Sequence, residues 1–312
     1  VARGGNRFFK LRRAVFLVRR SVPRVARPLS TFVAVGSPEK PIFLIGCPRS
    51  GTSALLQALL RSPELATVQL EGHILWDEFH PKKRRVQDSD ALRAEDVSER
   101  ERRYVNLAVR LFAREGRFVD KTPENTLRIP YLDELLPDAT FVFLRRRAAD
   151  NVNSLIEGWR ARPRFVTHRL LTPLEGIAPL DGRLWSFALI PGWRSLTRAP
   201  LEEICAQQYV VCNESVLAAQ AAMDSSRWRD LNYEDFVAAP VDELRQLFGS
   251  LDVGWSAAVE QYAGELDRRP SATAVTPPRP DKWREQNPDA IERILPLVRE
   301  TEARLGYSPA ST

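Results

Sequence analysis

The chain has 312 residues, 44% apolar and 28% charged, which fits a folded domain with a sizeable core and excludes disorder, a collagen repeat or a disulfide scaffold as whole-chain readings. Three cysteines without metal-ligand spacing and only three histidines argue against a zinc centre, and a reducing, cytoplasmic compartment is the simpler expectation. The net charge of +6 is uneven: residues 1–38 hold nine Lys or Arg and no acid, leaving 37 basic against 40 acidic residues in the remainder, a body unsuited to general nucleic-acid binding.

Residues 1–38 read as a basic arm interleaved with Phe8, Phe9, Leu11, Phe16 and Leu17, in which Pro23 and Pro28 stop any helix. Two partners fit such an arm: an anionic membrane surface, met peripherally, or a second copy of the chain. No apolar run approaches the ~18 residues of a membrane span. Order is expected from Pro41-Ile-Phe-Leu-Ile45, a buried strand, followed by a loop at Gly46–Gly51 and a helix over 52–61. Residues 81–100 are strongly charged and read as a surface excursion; 101–115 read as a helix. Short strands are expected at 117–120, 138–144 and 228–232, and helices at 148–159, 201–223 and 288–305. Residues 160–200 and 267–282 show no sustained period. Strands alternating with helices predict an α/β domain over 39–312, a mostly parallel sheet with helices on both faces.

The strongest local signal is Gly46-Cys-Pro-Arg-Ser-Gly51-Thr-Ser53 between strand and helix. It has the G-x-x-x-x-G spacing of a phosphate loop, in which backbone N–H groups and a helix N-terminus cradle an anion. A nucleoside triphosphatase carries Lys-Ser/Thr after the second glycine. Here Thr52-Ser53 stand there, and the cation is Arg49 inside the loop, suited to a bidentate grip on one tetrahedral anion. A cysteine phosphatase would need Arg five residues beyond Cys47, where Ser53 stands.

The stretch 41–53 resembles the 5′-phosphosulfate loop of sulfotransferases that use 3′-phosphoadenosine 5′-phosphosulfate (PAPS). A second motif of that family, an Arg after a buried strand with Asp four and Ser eight residues on, is matched by Arg146, Asp150 and Ser154. Asp120-Lys-Thr-Pro-Glu124, Tyr233-Glu-Asp-Phe236 and Lys282-Trp283 resemble further stretches of the bacterial branch. The loop arginine and the Lys-Thr-Pro are closer to bacterial and tyrosylprotein-type enzymes than to the cytosolic detoxifying ones.

The resemblance implies a P-loop-like fold and sulfuryl transfer from PAPS, without a metal, to a small-molecule, sugar or lipid acceptor. Arg49, Ser50, Gly51, Thr52 and Ser53 would then hold the 5′-phosphosulfate, and Arg146 with Ser154 the 3′-phosphate. Tyr233 and Lys282 would complete the nucleotide site. Lys121 would reach the bridging oxygen. Glu71, 22 residues beyond Arg49, is the first candidate base and His73 the second. His80 and His168 are expected on the surface or in loops. Trp76, Phe79, Trp159, Trp185, Phe187 and Trp193 are expected to flank the acceptor cleft or to fill the core. Two other readings stay open: a P-loop small-molecule kinase, and a non-catalytic nucleotide-binding protein that meets a membrane or partner.

Overall fold

The computed structural model describes residues 22–33, 35–68, 71–81, 88–113, 116–266 and 280–307. Residues 1–21 and most of the 267–282 loop lie outside the described residues.

Five parallel strands form the central sheet: β1 (Ile42–Ile45), β2 (Leu65–Ala66), β3 (Arg117–Asp120), β4 (Thr140–Arg145) and β7 (Trp228–Asn232). Their spatial order is β2-β3-β1-β4-β7. Alternation along each strand divides the core in two. Phe43, Ile45, Phe118, Phe141 and Phe143 face one side, where Val152, Leu155, Ile156 and Trp159 of the helix Ala148–Arg160 pack on them. Ile42, Leu44, Val119, Val142 and Leu144 face the other, against Leu55, Leu56 and Leu59 of the helix Thr52–Leu59. Both faces are covered, so the strands read as continuous apolar runs rather than alternating ones.

The helices after β1 and β4, adjacent strands, thus leave toward opposite faces. This opens a crevice at the carboxyl ends of the two strands, where α/β sheets bind ligands. The strands and long helices lie within a few residues of where the sequence puts them. Among the described residues, the α-helices not anticipated include His73–Trp76, Ile129–Leu135, Tyr233–Ala238, Pro240–Ser250, Ala257–Gly264 and Trp283–Gln286.

Several expectations are corrected. Order does not begin at Pro41: residues 22–29 are helical through Pro23 and Pro28, and Val22 and Ala26 are fully buried in the core. Burial of that face outweighs the two missing N–H groups. The excursion 81–100 is not all surface, since Ser89 and Asp90 are buried. Residues 160–200 include an antiparallel pair, β5 (Val166–Arg169) with β6 (Leu184–Ser186).

His168 is buried rather than exposed. Its Nε2 lies 3.2 Å from Asp90 Oδ1, and Arg128 Nη2 stands 3.6 Å from the same oxygen. Arg128 Nε donates to the Asp90 carbonyl at 2.8 Å, and the Leu189 N–H donates to Asp90 Oδ2 at 2.8 Å. A buried carboxylate is tolerated when paired and hydrogen-bonded in this way. His80, expected at the surface, is half-buried against Glu101 at 3.1 Å.

Candidate active site

Four chain segments end at the crevice. The first is the loop 46–53. Gly46 is required there, because a Cβ would come within 2.5 Å of Ser50 Oγ and 2.8 Å of the Leu144 carbonyl. Gly51 caps the helix at φ 104°, and a Cβ would strike the Tyr233 ring at 2.6 Å. Arg49 adopts φ 74°, the left-handed region that non-glycine residues seldom occupy. The helix start has no side-chain cap and no acid in its first turn, so its N–H groups and dipole face the crevice uncancelled. Ser50 Oγ is buried with no hydrogen-bond partner among the described residues. An anion donated to by Ser50 and the helix start fits these features. Thr52 and Ser53 stand in the first turn of the helix, Thr52 buried.

The second segment follows β4. Of Arg145-Arg-Arg147, the outer two are engaged elsewhere. Arg145 Nη1 donates to the Leu305 carbonyl at 3.2 Å, and Arg147 stacks 5.3 Å over the Tyr307 ring. Arg146 turns to the loop: its Nη1 donates to the Arg49 carbonyl at 2.8 Å, and its guanidinium lies 4.2 Å over the Tyr233 ring. Its Nε is buried without a partner among the described residues. Asn151 donates to the Pro48 carbonyl at 2.9 Å, clamping helix to loop. Ser154 Oγ accepts from Arg49 Nε at 3.3 Å, so the structure sets it against Arg49 rather than Arg146.

Arg49 also lies 4.8 Å over the Phe165 ring. Burial, then the charges of Arg146 and Arg164, lower its pKa to about 10, still charged at neutral pH. Three guanidinium groups crowd this corner, an arrangement that favours a ligand with more than one negative charge.

The third and fourth segments meet each other. Lys121, at the end of β3, is buried and places Nζ 2.6 Å from Glu71 Oε1. Glu71 Oε2 is 3.2 Å from His73 Nε2. Burial alone would raise the Glu71 carboxyl, but Lys121 and His73 hold it below the usual carboxylate value. The turn is pinned from beneath: the Gly72 N–H donates to Thr122 Oγ1 at 2.8 Å, and Asp120 accepts from Thr122 at 3.3 Å and Asn125 at 2.8 Å. Gly72 sits so close that a Cβ would come within 2.5 Å of Asp120 Oδ1 and 2.7 Å of Trp76 Nε1.

Lys282 caps the short helix Trp283–Gln286, which docks on the helix Ala148–Arg160 through an Asn153–Gln286 hydrogen bond of 2.9 Å. The structure thus joins Arg49, Ser50, Ser154, Arg146 and Tyr233 in one cluster and Glu71, His73 and Lys121 in another. Lys282 stands at the N-terminus of the helix Trp283–Gln286.

The aromatics expected around an acceptor divide differently. Trp76, Trp159, Trp185 and Trp193 are core, with Trp159 and Trp185 packed edge to face at 5.2 Å. Phe165, which the sequence reading passed over, stacks on Phe187 and touches Arg49. Glu124 was missed as well, although it follows Lys121 by three residues; its Oε2 lies 3.8 Å from His73 Nε2. Among the described residues no group of three or more His, Cys, Asp or Glu is placed to hold a metal ion.

The model of the sulfotransferase family matches residues 41–163. The fold is similar to that of a sulfotransferase from Mycobacterium avium, with a TM-score of 0.57 at 15% identity over 92% of this chain and 81% of that one. A sulfotransferase from Alicyclobacillus acidocaldarius aligns at TM-score 0.49 and 16% identity, over 89% of this chain and 99% of that one. A mouse sulfotransferase complexed with PAP aligns at 0.48 and 14%, over 88% and 86%. No curated protein matches the chain in sequence. The stretch 41–163, which contains Arg49, Glu71, His73, Lys121, Arg146 and Ser154, is the part of the chain that is similar to the sulfotransferase family.

Proposed function

We propose that the chain moves the sulfuryl group of PAPS to a hydroxyl or amine of a small-molecule, carbohydrate or lipid acceptor, by in-line transfer and without a metal. The observation that carries this reading is that Arg49, Arg146 and the Lys121–Glu71 pair follow the carboxyl ends of the neighbouring strands β1, β4 and β3. Arg49, Ser50, Gly51, Thr52 and Ser53 hold the 5′-phosphosulfate. Arg146 holds the 3′-phosphate, with Ser154 beside Arg49 linking the two positions. Tyr233 supports Arg146 from below and offers a ring edge to the adenine; Lys282 closes the nucleotide side. A kinase reading lacks the loop lysine that grips β- and γ-phosphates.

Little covalent chemistry falls to the protein in such a transfer; it aligns the reactants and meets charge where it develops. The acceptor oxygen bonds to sulfur as the bond from sulfur to the 5′-phosphate oxygen breaks. The electron pair stays on that phosphate oxygen, where Lys121 stabilises it. Glu71 takes the acceptor proton. The Lys121–Glu71 contact of 2.6 Å gives this pair a second use. As Lys121 turns toward the phosphate oxygen, Glu71 loses its nearest cation and becomes a stronger base. Donor binding therefore primes proton abstraction.

A cytoplasmic setting is supported by Cys47, Cys205 and Cys212, all free and buried. The N-terminal segment is assigned to an anionic membrane surface: its described part buries Val22 and Ala26 and leaves Val25, Leu29, Phe32 and Val33 exposed.

The test has two stages. 3′,5′-bisphosphoadenosine should raise the melting temperature of the full chain, and ATP with Mg²⁺ should not. Transfer of labelled sulfate from PAPS across an acceptor panel should follow. Stabilisation by ATP with Mg²⁺ alone would restore the kinase reading. Tight bisphosphoadenosine binding with no turnover on any acceptor would favour the non-catalytic one.

A further inference from the structure

The helix His73–Trp76 opens on a histidine faced by carboxylates from three elements. Glu71 Oε2 approaches His73 Nε2 to 3.2 Å from the preceding turn. Asp77 Oδ2 lies 3.9 Å from His73 Nδ1 at the far end of the same helix. Glu124 Oε2 stands 3.8 Å from Nε2, carried by the short 3₁₀ helix Pro123–Leu127. Asp120, buried at the end of β3, adds a further acid within electrostatic reach, and the cation Lys121 is held by Glu71.

Glu124 differs from the others in burial. Its side chain is 2% exposed, against 35% for Glu71 and 25% for Asp77. It also stands near two other acids, Asp90 and Glu71, each of which it disfavours as an anion. Burying a carboxylate beside other carboxylates is costly unless a cation offsets it. The imidazolium form of His73 is a cation at that position.

We propose that Glu124 is a positioning residue for the proton that leaves the acceptor: it holds His73 beside Glu71 and favours the imidazolium. This rests on sulfuryl transfer with Glu71 as the base. The acceptor O–H proton passes to the Glu71 carboxylate and on to His73 Nε2. His73 becomes imidazolium between Glu124 and Asp77, Glu71 returns to its ionised form, and the partly exposed imidazolium releases the proton to water. No oxidant or metal enters the balance. The relay starts from neutral His73 and gives the proton an exit from Glu71, whose carboxyl becomes a poor place to keep it once Lys121 returns to the 2.6 Å contact.

Only three histidines are present, so the imidazole resonances of the full chain are resolvable by NMR, and His73→Gln identifies the His73 signal. In Glu124→Gln the titration midpoint of His73 should fall by about half a pH unit or more, since one opposing charge is lost. With an accepted substrate, kcat should fall about tenfold, bisphosphoadenosine affinity should stay within about twofold, and Glu124→Asp should recover part of the rate. A His73 midpoint unmoved in Glu124→Gln overturns the assignment, as does a loss of rate that Glu124→Asp leaves unrelieved. If Glu124→Gln does not fold, the parent decides: a His73 midpoint at or below the ordinary histidine value of ~6.5 overturns it. The titration needs no turnover, so a parent chain that transfers no sulfate removes the function reading separately.

Discussion

Lys121 and Glu71 share one short contact and have opposite tasks, and the two substitutions separate them. Glu71→Gln should lower kcat about 10²–10⁴-fold with bisphosphoadenosine affinity nearly unchanged, because the base acts on the acceptor. Lys121→Ala should lower kcat as well, through the leaving oxygen. Steady-state kinetics with calorimetry check both, and a Glu71→Gln enzyme near parental rate passes the base to His73. The pH dependence has a definite sign. Glu71 is held below its ordinary carboxylate value, so it is ionised throughout the neutral range, and its own protonation lowers the rate only in acid. An acidic limb near neutrality would report His73 instead. The arginine triplet offers a second contrast. Arg146→Ala should erase the preference for bisphosphoadenosine over AMP, whereas Arg145→Ala and Arg147→Ala should preserve it, since Leu305 and Tyr307 already occupy those side chains. Equal loss in all three would end the 3′-phosphate assignment.

The elements that hold these residues are short turns, and two of them make strong predictions. Gly72 fits the turn between Glu71 and His73 only because nothing stands at its Cβ position. Gly72→Ala should displace that turn from Asp120 and Trp76 and lower kcat about tenfold or more, with donor affinity kept, because the loop 46–53 is separate from it. The second is the Asp90 junction, which ties residues 88–92, Arg128 and the β5–β6 segment together. Burial by itself would raise the Asp90 carboxyl, but the hydrogen bond and charge of His168, with Arg128, hold it below its ordinary value. A depressed carboxyl stabilises the fold above its unfolded value of ~3.9 and loses that contribution as pH falls through the lower folded value. Asp90→Ala should cost about 3–5 kcal/mol at neutral pH, read from urea melts, by leaving His168 and Arg128 buried without their partner. The variant should also lose the acid-induced part of that destabilisation. Neither turn was legible in the sequence. The loop 46–53 was, because it is local and bracketed by a strand and a helix, whereas the Arg146–Ser154 spacing did not report that Ser154 meets Arg49. Asp90 and Glu124 act through partners 78 and 51 residues away, His168 and His73, and no periodicity reports a contact of that kind. The tryptophans of 159–193 were ambiguous for the same reason: only packing distinguishes a core ring from a cleft ring.

At the scale of the whole molecule, charge and apolar exposure are concentrated at one end of the chain. The nine basic residues of 1–38 lie without a single acid, and the described part of that stretch exposes Phe32 by 86%, together with Val25, Leu29 and Val33. Among the described residues no helix is long and apolar enough to cross a membrane. Basic side chains near an anionic bilayer contribute about 1 kcal/mol each, and the charge term weakens with salt as the Debye length shortens. An apolar contribution from Phe32 and Leu29 does not weaken in that way. Full-length protein should therefore float with vesicles containing phosphatidylserine at low salt, and only partly at 0.5 M salt. It should ignore neutral vesicles of the same size. Replacing Leu29 and Phe32 together with Asp should abolish the salt-resistant fraction while leaving the bisphosphoadenosine-induced melting shift intact, since both side chains are exposed. If the full chain ignores anionic vesicles at low salt, and sedimentation shows a dimer that the double variant cannot form, the same surface binds a second copy of the chain instead.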